Sequence, residues 1–98
     1  MGSIGSKKTV LIYEFSGSVS YYGSYNQFNK IDKEVKIYPP KIVAIDLTEA
    51  TEINAQALGY FVDLKNRCNK HQIILAMYPS RAVEKILALM NLKTFFGV

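Results

Sequence analysis

Three short, mainly apolar runs divide this chain, and each is followed by apolar residues at helical spacing. The runs are Thr9 to Phe15, Lys41 to Leu47 and Ile73 to Met77. Tyr25, Phe28, Ile31 and Val35 follow the first, within a helix predicted over Ser24–Lys36. Leu58, Phe61, Val62, Leu64 and Cys68 mark a second helix over Ala55–Asn69, with Asn54 as its N-cap. Val83, Ile86, Leu87 and Met90 mark a third, opened by Pro79 and Ser80. Strand followed by helix, three times over, predicts an α/β fold with a largely parallel sheet and right-handed crossovers. Ile42 to Ile45 is nearly continuous in apolar residues and reads as a buried central strand. Thr9–Phe15 carries apolar residues on both faces, which predicts cover on both sides.

The connections are read from turn chemistry. Ser16-Gly17-Ser18 is expected to bend the chain, and Ser20 to Ser24 to form a polar loop. Tyr38-Pro39-Pro40 stops the first helix, since proline lacks the donor and restricts its predecessor. Leu47 to Asn54 reads as a loop rich in hydroxyls and carboxylates, and Asn69 to Gln72 as an exit turn. Leu92 to Val98 reads as an apolar tail packed back on the sheet.

With 98 residues, 49% hydrophobic and 20% charged, the chain is sized for one domain. That domain is expected over residues 9–98, after a flexible segment 1–8 that contributes at most a short edge strand. Cys68 is the single cysteine, so an internal disulfide is excluded and a reducing, cytoplasmic setting is expected. No apolar run approaches the roughly 20 residues of a membrane-spanning helix, and the opening MGSIGSKK has no signal-peptide core. Met1-Gly2 with Ser6 fits an N-myristoylation pattern, but that pattern is short and such a start is also a common remnant of cloning, which is the favoured reading. The net charge of +4 hints at an acidic partner. The lysines are scattered, however, and Asp32 and Glu34 sit among Lys30 and Lys33, which favours a solvated mixed-charge surface over a nucleic-acid stripe.

The search for catalytic chemistry yields little. Glycine-rich phosphate loops of the GxxxxGK[ST] and GxGxxG kinds are absent. His71 and Cys68 are too few to close a zinc site, and no third group orients them as a catalytic pair, so no metal and no cofactor are expected. Asp46, at the end of the central strand, and the carboxylates Glu49 and Glu52 after it are acid/base candidates. The simpler reading makes them loop charges near a helix start that welcomes anions. Of the clustered tyrosines, Tyr25 fits the helix stripe, while Tyr21 and Tyr22 either anchor a partner or cap the core.

The stretch IVAIDLTEATEINAQALGYF, Ile42 to Phe61, resembles the signature of the STAS domain of bacterial anti-sigma-factor antagonists. In that family a buried strand ends in an Asp- or Asn-Leu pair, and Asp-Ser-[Ser/Thr]-Gly-Leu follows at a helix start. Asp46-Leu47 matches the strand end, Ile53 the apolar residue before the motif, and Leu58-Gly59 the start of the helix. Val10 to Ser20 resembles the family's strand-Gly-Glu-Leu-Asp passage, and Ala82 to Leu92 its last helix. The resemblance implies a sheet of about four mostly parallel strands with three or four helices, the first strand falling in Ile4–Lys8. It also implies a non-catalytic module that binds an anti-sigma factor or related kinase-like regulator, without nucleic-acid contact or membrane insertion. The alternative it carries is a constitutive subunit of a lipid-transport ABC complex or a stress-sensing assembly. The partner-binding residues so implied are Ser20, Tyr21, Tyr22, Thr51, Glu52, Asn54, Ala55, Gln56 and Gly59.

Departures from the pattern carry their own content. Asn54, Ala55, Gln56 and Ala57 stand over Asp-Ser-Ser-Gly, so the family's phospho-acceptor position is Gln56, which cannot take a phosphate. Ser18-Val19-Ser20 replaces Glu-Leu-Asp and loses its acids. Thr48 and Thr51 are the nearest substitute hydroxyls.

Overall fold

Three strands, all parallel, lie in the order β1-β2-β3 in the computed structural model, which describes residues 9–98. The elements are β1 (Val10–Val19), α1 (Tyr25–Ile37), β2 (Ile42–Ile53), α2 (Ala55–Lys70), β3 (Ile74–Pro79), α3 (Arg81–Leu89) and α4 (Lys93–Phe96). The α/β class, the parallel sheet and the central place of β2 agree with the sequence reading. The sheet has three strands among the described residues, against about four expected. Residues 4–8, where the missing edge strand was expected, lie outside the described residues, as do segment 1–8 as a whole and the Met1-Gly2 modification pattern.

Because the strands stack in chain order without reversal, right-handed crossovers carry successive helices to one side of the sheet. Tyr13 and Phe15 of β1, Val43, Ile45 and Leu47 of β2, and Leu75 and Met77 of β3 are buried on that side. They share one core with Phe28 and Ile31 of α1, Phe61 and Leu64 of α2, and Val83 and Leu87 of α3. The centre is aromatic: Phe61 lies edge-on to Phe15 and to Phe28 with ring centroids 5.5 Å apart in each pair, and Tyr60 stacks on Phe28 at 4.1 Å. The expected cover on both faces of β1 is therefore corrected, since Val10 and Ile12 point to the face that no described helix covers.

Two expected connections are strand instead. The bend expected at Ser16-Gly17-Ser18 is strand: β1 runs on to Val19 opposite two bulges in β2, with register shifts between Glu14 and Ser16 and between Gly17 and Ser18. Gly17 sits there at φ +68°, a conformation that glycine adopts without the steric cost of a Cβ. The loop expected over Leu47–Asn54 is the second half of β2, paired to the lengthened β1. Its Ala50 and Ile53 are buried and its hydroxyls and carboxylates point outward. Asp46 closes the first bulge, accepting from the Thr48 backbone N–H at 2.9 Å and the Thr48 hydroxyl at 2.6 Å. The tail forms α4, which packs on β3 and α3 and buries Phe96. Met90 falls just past α3 and is exposed.

Polar groups fasten α1 to α2. The Tyr60 hydroxyl donates to Asp32 at 2.7 Å, and Arg67 reaches Asp32 at 3.1 Å and Asp63 at 2.9 Å. The Tyr13 hydroxyl donates to Glu34 at 2.7 Å. Burial first, then the carboxylate each one bonds, pushes both phenols far above their ordinary value. The folded state thus holds two protons that the unfolded chain releases near pH ~10. This contribution to stability is full below about pH 10 and is lost as pH rises above it. The urea midpoint is expected to fall on going from pH 9 to 11, and Tyr60→Phe to flatten that fall.

Candidate functional site

The ends of β1 and β2 bring together the two segments implicated by sequence. Ser18 pairs with Glu52 and Val19 with Ile53, and the Asn54 N–H donates to the Val19 carbonyl at 2.9 Å. The Ser20–Ser24 turn therefore leaves β1 beside the point where Asn54 starts α2. The Asn54 side chain accepts from the Ala57 N–H at 2.8 Å, so a neutral amide caps the helix where the family pattern has a carboxylate. Asn54→Ala is expected to cost about 0.5–2 kcal/mol in chemical denaturation, for want of a partner to that N–H.

Helix phase then decides what faces outward. Ala57 and Leu58 turn into the core, while Ala55, Gln56 and Gly59 are exposed on the opposite side of the first turns of α2. Space around Gly59 is open, with nothing within 4 Å of where a Cβ would stand. Thr51 and Glu52 are exposed on the adjoining part of β2. No acidic residue lies in the first turn of α2, so the positive end of its dipole is not neutralised by its own sequence.

In the turn, the tyrosines divide their roles. Tyr21 is half-buried against Phe28, with centroids 5.6 Å apart, and caps the core. Tyr22 packs edge-on to Tyr21 at 5.5 Å and is 75% exposed. Ser20 is spent on the turn itself: its hydroxyl accepts from the Gly23 N–H at 3.0 Å and its carbonyl from the Ser24 N–H at 3.0 Å. A Cβ on Gly23 would stand 2.7 Å from that hydroxyl oxygen, so a larger residue there requires the Ser20 side chain to move. Tyr25, assigned by sequence to the core stripe, is 48% exposed and lies 6.1 Å from Tyr21. It opens α1 beyond the reach of the core, and its place in the first turn was the signal for this.

The other candidates are placed elsewhere or committed locally. Asp46 is occupied by Thr48, whose two hydrogen bonds hold its carboxyl below the usual range. The same bond engages the Thr48 hydroxyl, while Thr51 stands exposed on β2. Glu49 lies with Glu14 and Asp46 along a cleft between β1 and β2, apart from the turn at the end of these strands. Among the described residues no group of three or more His, Cys, Asp or Glu is placed to hold a metal ion. Cys68 is buried, and burial raises its thiol, opposite to the shift that activates a nucleophile. His71 caps the far end of α2, where a cavity of about 600 Å³ runs between α1 and α2. No helix among the described residues is long and apolar enough to cross a membrane.

Comparison with known proteins places this geometry. The sequence profile of the STAS domain matches residues 4–98. Among solved structures, a sulfate transporter family protein from Wolinella succinogenes superposes with a TM-score of 0.75 at 18% sequence identity, over 90% of this chain and 71% of that one. A search of curated proteins found no match. At that identity the superposition speaks for the fold, and the profile covers nearly all of the sequence. The chain belongs to the STAS domain family, whose members are protein-interaction modules.

Proposed function

We propose that this chain is a non-catalytic docking module that binds an anti-sigma factor or a related kinase-like regulator through the start of α2. The observation that carries this reading is the exposed, uncharged Gln56 at the first turn of α2, flanked by Ala55 and Gly59. Tyr22, Thr51 and Glu52 are exposed at the same end, and Ser20, Tyr21 and Asn54 hold the backbone there. Small side chains on a helix admit close approach of a partner backbone, and an exposed tyrosine supplies an apolar anchor at low entropic cost.

The charge of this surface is fixed. A phosphate would add about −1.5 to −2 charge at the helix start and repel or reorder a docked partner. Gln56 accepts none, so docking is not switched at that position. Gln56→Glu places a permanent negative charge there, and partner affinity is expected to fall about tenfold, about 1.4 kcal/mol. The test is an affinity capture from the native source with wild type beside Gln56→Glu, the captured proteins being identified by mass spectrometry. A kinase-like anti-sigma factor retained by wild type and lost by the variant supports the reading. Undiminished capture by the variant removes α2 as the docking element.

The same observation favours a second reading, a constitutive subunit of a lipid-transport ABC complex or a stress-sensing assembly, for which a phospho-acceptor is unnecessary. Capture of a transporter ATPase or of a large sensor assembly selects it. A reducing, cytoplasmic setting fits both readings, given a sole cysteine that is a buried free thiol.

A further inference from the structure

The cavity of about 600 Å³ between α1 and α2 lies at the far end of α2 from Gln56. What the two helices offer each other along their facing stripes explains why it is there. Phe28 of α1 and Tyr60 of α2 stack at 4.1 Å and fill the space between the helices at one end. One turn further along α1, Asp32 bonds Tyr60 at 2.7 Å and Arg67 at 3.1 Å, which holds the helices at the separation that the aromatic pair requires. At the next turn α1 presents Val35, which is too short to span that separation. Protein interiors seldom leave voids larger than a water molecule, whereas ligand sites run to about 300–1,000 Å³. This void is of the second size.

Its lining is amphipathic. Val35, Pro39, Leu64 and Ile73 supply the apolar part, and Leu64 and Ile73 are buried there. Asp32, Lys36, Arg67 and His71 supply the polar part. Asp32 is already engaged, one of its oxygens accepting from both Tyr60 and Arg67. Arg67 is held from two sides, its Nε donating to Asp63 at 2.9 Å and its Nη2 to Asp32 at 3.1 Å. The Nη1 of Arg67 has no hydrogen-bond partner among the described residues. The unspent capacity of the polar part therefore lies mainly in donors, two of them cationic, and calls for an acceptor that carries negative charge. A guanidinium already fixed by other bonds meets a carboxylate with little further loss of freedom. Cations in the last turn of a helix also offset its dipole, a role that Lys36 and Lys70 meet at the ends of α1 and α2. That role does not account for an apolar hollow of ligand size beside Arg67.

We infer that this cavity binds a small amphipathic carboxylate, with its apolar body on Val35, Leu64 and Ile73 and its head on Arg67 Nη1 and Lys36. The site lies about three turns along α2 from the docking surface and is separate from it.

Titration of the full chain with octanoate, followed by calorimetry and by backbone amide NMR shifts, tests this. Saturable one-to-one binding with a dissociation constant below about 1 mM is expected. The shifts are expected to concentrate at Val35, Lys36, Leu64, Arg67 and His71. Octanol has the same apolar body without the charge and is expected to bind about tenfold more weakly. Acetate has the head alone and is expected not to bind measurably. Arg67→Gln is expected to weaken octanoate about tenfold and to leave octanol unchanged. Because Arg67→Gln also loosens the tie between α1 and α2, Lys36→Gln serves as a second variant at an exposed position outside that tie. It is expected to weaken octanoate about threefold with an unchanged urea midpoint. Absence of saturable octanoate binding overturns the proposal, as does equal affinity for octanol in the wild type. Shifts centred on the exposed sheet residues Ile12 and Ile74 in place of the cavity overturn it too, as does full octanoate affinity in both variants. Gln56→Glu is expected to bind octanoate as the wild type does, so this proposal and the docking proposal fail separately.

Discussion

Phe61→Ala is expected to lower the unfolding free energy by about 3–5 kcal/mol, read as a shift of the urea midpoint followed by circular dichroism. Phe61 has no exposed surface and stands where β1, α1 and α2 meet, edge-on to Phe15 and Phe28. Truncation removes its transfer free energy and also strips two aromatic rings of the neighbour that orients them. The surrounding shell belongs to three elements tied by separate hydrogen bonds, so it closes only partly over the void. A domain of this size is typically stable by about 5–15 kcal/mol, so the variant is expected to sit near the edge of folding at physiological temperature. A loss below about 1 kcal/mol, within the range of an exposed substitution, would contradict the packing described for the aromatic centre.

Ala57→Glu and Gln56→Glu, one residue apart, are expected to act in opposite directions on stability. Ala57 is fully buried in the first turn of α2, and its N–H is already taken by Asn54. A glutamate there must carry a carboxylate into the core or unwind the turn, at a cost of more than about 3 kcal/mol. Gln56 is exposed in a first turn that has no acidic residue, so a carboxylate gains about 0.3–1 kcal/mol from the helix dipole. Parallel thermal melts separate the two. Equal losses would mean that the helix is turned differently from the arrangement described, and that Gln56 is not the residue presented to a partner. A stabilised Gln56→Glu that nonetheless loses its partner would assign the loss to docking and not to folding.

Much of the fold was legible because its signals are local. Asn54 and Ser80 act as N-caps, each side chain accepting from a backbone N–H three residues on. The apolar stripe from Phe28 to Val35 and the run Ile42 to Ile45 kept the burial their spacing implied. The far half of β2 was not legible. Its buried positions, Leu47, Ala50 and Ile53, recur every three residues, which suits neither an alternating strand nor a polar loop until the two bulges are known. Bulges depend on the pairing of β1 with β2, which is a long-range property. The exposure of Val10 and Ile12 was missed for a similar reason: apolar residues on both sides of a strand do not say which element lies over each side. At the site, the adjacency of Ser20 and Asn54 followed from parallel pairing, while the exposure of Tyr25 follows from its place in the first turn of α1, beyond the reach of the core.

The paired bulges set a counting rule for this fold. From Glu14 to Val19 β1 advances five residues, while its partner advances seven from Asp46 to Ile53. The surplus is two, and two is the period of the pleat, so Val19 and Ile53 both return to the inner face after the irregular stretch. An odd surplus would send Ile53 outward and roll the start of α2 with it, carrying Gln56 out of reach of the tyrosine turn. Length variation in the segment before α2 is therefore quantised: sequences of this architecture can gain or lose residues there in even steps and keep the same surface on offer, whereas a single insertion or deletion changes which surface the module presents.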